Sequence, residues 1–135
     1  MNWIITPLVI ACALGESLHT KTSYEATAWV LRNRLESGQW SDSLEGVATQ
    51  PKQFSALNDP NNVKKLLNYQ KYHKSKWNMA KSALELVGIQ RHTADPTKGA
   101  CWYLTNNLYY SSKRPKWADG MVITVVKFNH VYLKD

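Results

Sequence analysis

The spacing of apolar residues in this 135-residue chain changes once, near Asp95. Before that point apolar residues recur at intervals of three and four, which is the spacing of one face of an α-helix. After it, the segments Cys101–Leu104 and Met121–Tyr132 are rich in the β-branched and aromatic residues that favour strands. Ser111–Pro115, which lies between them, is typical of a turn. The sequence therefore predicts an α+β fold, mostly helical in its first two-thirds, with a small antiparallel sheet near the C-terminus.

The apolar run Trp3–Leu14 is predicted to form the first helix. Thr6 followed by Pro7 is typical of an N-cap and a first helical position, and the helix is expected to end near Leu14. Residues 1–13 contain no Lys or Arg, so the run lacks the positive region of a signal peptide, and it is too short to span a bilayer. We therefore expect a buried core helix in a chain made in the cytoplasm without a signal peptide, and no stable membrane insertion.

The second helix is predicted from a capping box. Thr22 and Glu25 have the Thr-x-x-Glu spacing in which each side chain satisfies a free backbone N–H, so the helix should start near Ser23. Gly38 tolerates the left-handed turn that ends many helices. A short helix is expected over residues 43–49.

Two basic helices are predicted next. Asp59 followed by Pro60 has the pattern of a cap and first helical position. In the second of these helices, Trp77 and Leu84 fall on one apolar face, and the helix should end at Gly88. We expect Trp77 to be a core residue.

Positive charge is concentrated in the second half of the chain. The net charge is +7, but residues 1–59 carry four Lys or Arg against six Asp or Glu, whereas residues 60–135 carry thirteen against four. Residues 60–81 contain six Lys and no acid. Together with fifteen aromatic residues, six of them Trp, this charge favours an extended anionic partner such as bacterial cell wall or nucleic acid. The alternative is that the lysines form a solvated helix face.

Motifs for nucleotide-driven and metal-dependent chemistry are missing from the sequence. It contains no Walker loop and no GxGxxG, GxSxG, HExxH or CxxC motif, and its four histidines match no local zinc spacing. Cys12 and Cys101 are too few for a disulfide framework; we expect buried free thiols, with one long-range bridge as the alternative. The sequence predicts one domain, residues 1–135, acting as a monomer with no cofactor and no metal.

Glu16 is the carboxylate with the most unusual position. It follows Gly15 immediately after the predicted core helix, where the chain should be at the edge of the core. A partly desolvated carboxyl group stays protonated near neutrality and can give its proton to the oxygen of a departing sugar. The alternative for Glu16 is a loop carboxylate in solvent.

Five segments, in order along the chain, resemble a known family. They are Gly15-Glu16; residues 26–34, which end in Asn33-Arg34; residues 44–47 with 50–56; Asp95-Pro96-Thr97-Lys98-Gly99-Ala100 with Trp102-Tyr103; and His130-Val131-Tyr132. On these segments the chain resembles the SleB/CwlJ-like cell wall hydrolases of the spore-cortex-lytic type, a family that also occurs in phages. The segments span nearly the whole chain.

This resemblance implies a catalytic domain distantly similar to lysozymes and lytic transglycosylases. These enzymes cut the glycan strand of peptidoglycan between N-acetylmuramic acid and N-acetylglucosamine with one essential Glu, and Glu16 takes that role here. The resemblance also implies that Gln53, Ser55 and Tyr103 line the glycan cleft. The structural alternatives are a loop-stabilising amide for Gln53, a backbone cap for Ser55 and a core aromatic for Tyr103.

Asn33 and His130 complete the substrate-binding group implied by the resemblance. Asn33 is expected as a polar bracket beneath the site, and His130 has the alternative of bonding a backbone carbonyl. Trp40, Trp117 and Tyr109 are candidates for stacking on sugar faces, with the core as their alternative.

The function that the resemblance favours is that of a lytic transglycosylase acting as a phage-type endolysin. Its partner is bacterial peptidoglycan, which it would reach in the wall or periplasm after release through a membrane pore made by another protein. One alternative is a hydrolase with a second carboxylate from Glu25, Glu36, Asp42 or Asp59. Others are a zinc-dependent N-acetylmuramoyl-L-alanine amidase and a noncatalytic module that binds glycan or nucleic acid. Nucleic acid is not expected as a partner, because the sequence has no recognition-helix, RRM or KH signature.

Overall fold

A computed structural model describes residues 2–50 and 55–135 of the chain. Within these ranges the helices and strands follow the order α1 (Pro7–Glu16), α2 (Lys21–Ser37), α3 (Leu44–Thr49), α4 (Pro60–Leu67), α5 (Tyr69–Tyr72), α6 (Lys74–Ile89), β1 (Trp102–Thr105), α7 (Asn106–Tyr109), β2 (Val122–Lys127) and β3 (His130–Lys134). Single 3-10 turns occur at Ser55–Leu57, His92–Ala94 and Lys116–Ala118. The predicted α+β class is confirmed, since the helices come first and the antiparallel sheet lies near the C-terminus.

Helix α1 forms the centre of the helical part. Its residues Val9–Leu14 are all buried, and it packs against α2, α3, α4 and α6. Pro7 occupies the first turn as predicted. Thr6 precedes it at the N-cap position, but its hydroxyl donates to Glu45 Oε1 of α3 at 2.6 Å instead of capping the helix. The start of α1 is thereby fixed to α3.

The end of α1 lies beyond the predicted position. The helix continues past Leu14 to Glu16, and the backbone becomes extended at Ser17. Gly15 lies within this helix, and its missing Cβ lets the Ser55–Leu57 turn pack directly against it. Glu16 is therefore held on a helix and not in a loop.

Helix α2 begins two residues before the predicted start. Its N-cap is Thr20, whose hydroxyl accepts a hydrogen bond from the Ser23 backbone N–H at 3.3 Å. The predicted capping box at Thr22 is wrong, because Thr22 already lies inside the first helical turn. Gly38 ends the helix with a φ of 72°, as predicted.

Helices α4, α5 and α6 form the predicted basic segment, with the short α5 as an unpredicted addition. The Asp59 carboxylate caps α4 by accepting from the Asn61 backbone N–H at 2.9 Å. Helix α6 packs along α2 and buries Trp77 and Leu84, which confirms Trp77 as a core residue. It ends at Ile89, one residue beyond the prediction.

The three strands form an antiparallel sheet in the order β1-β3-β2. The predicted strand region Met121–Tyr132 is a hairpin, because Phe128 and Asn129 have positive φ values of 54° and 62°. Two such residues form the tight turn that matches the twist of paired strands. The central strand β3 places Tyr132 opposite Tyr103 of β1. Of these two residues, Tyr132 belongs to the core formed mainly by the helices, and Tyr103 packs against it.

Both cysteines are free, as expected. Cys12 is buried in α1, whereas Cys101, just before β1, is half-buried and not fully buried as predicted. Burial raises the pKa of both thiols. Within residues 2–50 and 55–135, no helix has the length and apolar character needed to cross a membrane.

Candidate active site

Glu16 is the last residue of α1, and its carboxylate receives hydrogen bonds from two other parts of the chain. The Tyr103 hydroxyl of β1 donates to Oε1 at 2.6 Å. The Ala56 backbone N–H donates to Oε2 at 2.9 Å, and the Ser55 hydroxyl donates to the same oxygen at 3.3 Å. Both carboxylate oxygens are therefore fixed in place.

The position of Glu16 is unfavourable for a helix on its own. The C-terminal end of a helix carries a partial negative charge, so a carboxylate there is disfavoured by about 0.3–1 kcal/mol. Hydrogen bonds to a charged group contribute about 1.5–3 kcal/mol each, which offsets this cost. A carboxylate placed against the helix dipole and held by three donors is typical of a functional site.

Gly15 allows the donors to approach. A Cβ at Gly15 would lie 2.3 Å from the Ala56 Cβ and 2.9 Å from Leu66 Cδ1. Real Cβ atoms do not come that close to other atoms, so any larger residue would displace the Ser55–Leu57 turn. Glu16 thus supplies the carboxylate, and Gly15 leaves the space that the Ala56 and Ser55 donors need to reach it.

Tyr103 and His130 form the sheet side of the site. Burial, together with the charge of Glu16, raises the pKa of Tyr103 well above its usual value of 10, so its hydroxyl remains a donor. The His130 ring of β3 packs edge-on against the Tyr103 ring, with 4.9 Å between centroids. Burial lowers the pKa of His130 below 6.5, although the charge of Glu16 opposes this shift. At neutral pH His130 is therefore uncharged.

These groups line a cleft of about 360 Å³. Asn58 and Leu108 lie on its wall, as does Trp117, which is 46% exposed. Glu16 is the single carboxylate among the described residues that line it. An exposed aromatic ring in the same cleft as one fixed carboxylate suits a sugar ring, since aromatic faces pack against the apolar faces of sugars.

Arg34 of α2 brings a buried cation to the cleft. Its Nε donates to the Cys101 backbone oxygen at 2.6 Å, and its guanidinium lies 4.9 Å from the centre of the Trp40 ring. The charge of Arg34 acts on both Glu16 and Tyr103. It therefore joins α2 to the start of β1 and counters the negative charge of the site.

The sequence model of the cell wall hydrolase family matches residues 19–133. This chain belongs to the cell wall hydrolase family. The match includes Ser55, Tyr103 and His130 and begins three residues after Glu16, so the assignment of Glu16 depends on the geometry described above. No curated protein sequence matches the chain.

Two solved structures resemble this cell wall hydrolase over most of its length. One is the catalytic domain of the germination-specific lytic transglycosylase SleB from Bacillus anthracis, with a TM-score of 0.71, 22% identity, and coverage of 99% of each chain. The other is the catalytic domain of the Bacillus cereus SleB protein, with a TM-score of 0.63, 21% identity, and coverage of 95% of this chain and 88% of that one. At these identities the likeness shows the fold alone.

Four of the residues predicted for the site come together in this cell wall hydrolase: Glu16, Ser55, Tyr103 and His130. Gln53 lies outside the described residues. Asn33 is not among the residues lining the cleft.

The Asn33 side chain instead holds the turn before β1. Its amide donates to Asp95 Oδ2 at 2.9 Å and to the Ala100 backbone oxygen at 3.0 Å. Asp95 in turn accepts from the Thr97 and Gly99 backbone N–H groups at 2.8 and 2.9 Å. These bonds place the strand that carries Tyr103, so Asn33 supports the site from outside the cleft.

The three aromatic residues predicted to stack on sugars differ in their position relative to the cleft. Trp117 lines the cleft. The Trp40 ring packs edge-on against Trp102 with 5.3 Å between centroids, and Tyr109 lies 4.8 Å beneath the Arg114 guanidinium. Trp40 and Tyr109 are not among the residues that line the cleft.

Sequence reasoning assigned no role to Arg34, Asn58 or the Ala56 backbone N–H. Arg34 had a detectable signal, since it is a charge between the apolar residues Leu31 and Leu35 on one helix face. No such signal exists for Asn58 and Ala56, because neither a side-chain amide in a turn nor a backbone N–H donor produces a periodic pattern in the sequence.

The described part of the chain contains no group of three or more His, Cys, Asp or Glu side chains that could hold a metal ion.

Proposed function

We propose that this cell wall hydrolase is a lytic transglycosylase that cuts the peptidoglycan glycan strand between N-acetylmuramic acid and N-acetylglucosamine. The observation that carries the proposal is the arrangement at Glu16, which is the single carboxylate in the described lining of the cleft and is held by three donors. A lytic transglycosylase needs one group that acts first as acid and then as base. The common glycoside hydrolases use a pair of carboxylates.

The reaction has two steps at Glu16. In the first, the protonated carboxyl group gives its proton to the glycosidic oxygen, the bond from that oxygen to C1 of the muramic acid breaks, and the N-acetylglucosamine side leaves as an alcohol. In the second, the Glu16 carboxylate removes the proton from the 6-hydroxyl of the muramic acid, and O6 bonds to C1. The product is a 1,6-anhydro sugar, no water is consumed, and Glu16 is again protonated.

The hydrogen bonds around Glu16 suit a group that changes charge twice. The Ala56 N–H can only donate, so it holds Oε2 as an acceptor in both states. The Tyr103 hydroxyl can donate to Oε1 in both states, because a protonated carboxyl group keeps acceptor capacity beside its O–H, so Oε1 keeps its partner while the acidic proton stays available to the substrate. The site therefore needs no rearrangement between the acid step and the base step.

The other carboxylates considered for a second catalytic role have positions elsewhere. Glu36 pairs with Arg32 at 2.7 Å, and Asp59 caps α4. Glu25 lies in a groove formed with α6, and Asp42 lies in a depression near the N-terminus. None of these four lines the described part of the Glu16 cleft, which favours the transglycosylase over a two-carboxylate hydrolase.

We further propose that the enzyme acts on the cell wall as a monomeric endolysin. The excess of thirteen Lys or Arg over four Asp or Glu in residues 60–135 supports binding to an anionic wall. The test is expression in bacteria with and without a separate pore-forming protein. Lysis that needs both proteins supports this setting, and lysis without the pore contradicts it.

The catalytic role of Glu16 is tested by digestion of purified peptidoglycan in EDTA with wild type, Glu16→Gln and the control Glu85→Gln. Glu85 is exposed on α6. Glu16→Gln keeps the shape and removes the proton, so its rate of fragment release should fall by at least about a hundredfold, the usual contribution of general acid–base catalysis. Wild-type activity in Glu16→Gln contradicts the proposal, and loss of wild-type activity in EDTA indicates the zinc amidase instead.

A further inference from the structure

A second concave surface, the α4–α5 groove, lies on the outer side of α4 and α5. It has a volume of about 400 Å³ and shares no lining residue with the Glu16 cleft. Its lining includes the amides of Asn61 and Asn68, the ammonium groups of Lys64 and Lys65, and the ring of Tyr72. The reaction proposed above uses none of these side chains.

The groove has a defined shape because the chain bends at its far end. His73 has φ −137° and ψ 57°, which interrupts the helix between α5 and α6. The Tyr69 ring packs on His73 with 4.6 Å between centroids and lies 6.2 Å from the His19 ring. Of these rings, those of Tyr69 and His73 belong to residues that line the groove.

Helix α4 separates the groove from the active site. On its inner side, Asn62 donates to the Ala56 backbone oxygen at 2.8 Å, and Leu66 packs against Gly15. The groove residues Asn61 and Lys65 belong to the outer side of the same helix. An α-helix with its side chains is about 10–12 Å across, so a branch on a polymer in the cleft would have to extend at least about that far to reach the groove.

The groove is chemically suited to an acidic peptide. No Asp or Glu occurs from residue 60 to residue 84, whereas six Lys do. Lys64 and Lys65 offer charge-assisted hydrogen bonds to carboxylates, and Asn61 and Asn68 offer both donors and acceptors for a peptide backbone. The Tyr72 ring is 66% exposed and available for a small apolar side chain. Peptidoglycan carries a carboxylate-bearing peptide on its muramic acid residues, which is a branch of this kind.

We propose that the α4–α5 groove binds the carboxylates of the peptide stem on the glycan strand held at Glu16. The inference rests on the proposed function for the identity of the polymer. It makes α4 a divider between the glycan and its peptide branch. The enzyme would then prefer peptide-bearing glycan to bare glycan, and this preference would depend on Lys64 and Lys65.

The experiment measures binding to three preparations of sacculi. The first two have had their phosphate-containing polymers removed, with the peptides either left in place or removed by an amidase, and the third keeps both the polymers and the peptides. All proteins carry Glu16→Gln so that the substrate stays intact, and they are compared with and without Lys64→Gln/Lys65→Gln. The matched control is Lys81→Gln/Lys127→Gln, which removes the same charge from exposed positions outside the groove. Circular dichroism and thermal unfolding check that each variant is folded.

We expect the Lys64→Gln/Lys65→Gln variant to bind peptide-bearing sacculi about fivefold more weakly than the control variant, the size expected for two exposed ion pairs. On sacculi without peptides the two variants should bind equally. Equal binding to peptide-bearing sacculi overturns the proposal, as does a loss that persists without peptides. If the difference appears only on sacculi that retain phosphate-containing polymers, those polymers are the ligand and the proposal is also overturned. Because binding is measured without turnover, these outcomes are independent of the test of Glu16 as catalyst.

Discussion

The Tyr103 hydroxyl and Glu16 Oε1 lie 2.6 Å apart, although 87 positions separate the two residues in the chain. The helical part of the molecule supplies the carboxylate, and the sheet supplies its donor. The proposed active site therefore depends on the placement of Tyr103 at the end of α1. This relationship explains why the first helix and the last third of the chain are both needed to hold the proposed catalytic carboxylate.

Replacing Tyr103 with Phe should slow catalysis and preserve the fold. The ring and its contact with His130 remain, but Glu16 Oε1 loses a hydrogen bond of 2.6 Å. Removing a donor to a charged group typically costs about 1.5–3 kcal/mol, or roughly ten- to a hundredfold in rate. The measurement is kcat and KM for peptidoglycan digestion, with Tyr110→Phe as the control because Tyr110 is 67% exposed. Unchanged kcat in Tyr103→Phe would show that the bond does not assist the reaction.

Replacing Gly15 with Ala should damage stability and activity together. The new Cβ would meet the Ala56 Cβ at 2.3 Å and force the Ser55–Leu57 turn away from Glu16. Overpacking of this kind destabilises proteins by about 1–3 kcal/mol, which urea unfolding can measure. The second variant Gly15→Ala/Ala56→Gly removes the Cβ–Cβ clash and should recover part of both losses. A fully stable and active Gly15→Ala would contradict this account of the turn.

The stability of the folded protein should decrease below pH 6.5, partly because of His130. Burial lowers the pKa of this residue in the folded state, so the unfolded chain binds the proton first as the pH falls through 6.5. The contribution of His130 to folding is therefore complete above pH 6.5 and is lost as the pH falls toward the folded-state pKa. Burial also lowers the pKa of His19, which adds a second contribution of the same sign.

Urea unfolding between about pH 5 and pH 8 tests this linkage. We expect His130→Gln to have a shallower loss of stability than wild type, with the remaining slope due in part to His19. Identical slopes in the two proteins would mean that His130 binds its proton equally well in the folded and unfolded states.

Replacing Trp117 with Ala should weaken substrate binding without affecting the fold. The side chain is 46% exposed and lines the cleft, so its loss leaves no large cavity in the core. We expect KM to rise by about tenfold, as for the loss of an aromatic contact of about 1–1.5 kcal/mol, with a smaller change in kcat. Trp117→Phe should keep most of the affinity. A normal KM in Trp117→Ala would place the sugar elsewhere in the cleft.

The sequence was informative wherever a local pattern decides the structure. Gly38 and the Asp59–Pro60 cap behave as predicted because each depends only on its own backbone or on that of residues next to it in the chain. The capping box at Thr22 failed because Thr20, two residues earlier, offers the same hydroxyl and takes the N-cap position. Two equivalent capping residues so close together cannot be ranked from the sequence.

The sequence indicated which side chains to consider for the site, but not which contacts they make with one another. The Gly15-Glu16 pair and Tyr103 could be chosen from the sequence through the family resemblance. The hydrogen bond from Ala56 and the placement of Asn33 outside the cleft depend on tertiary packing. The same holds for α4, whose basic residues were recognised as a charged segment but whose groove exists only because the chain bends at His73.

The most direct test of the central claim is mass spectrometry of the fragments that wild type and Glu16→Gln release from peptidoglycan in water enriched in heavy oxygen. We predict that wild type releases muropeptides ending in 1,6-anhydro muramic acid, each lighter by one water than a reducing-end fragment and free of heavy oxygen, and that Glu16→Gln releases none. Reducing-end fragments containing heavy oxygen would contradict the transglycosylase and require a second catalytic group. Equal release of anhydro fragments by both proteins would contradict the role of Glu16.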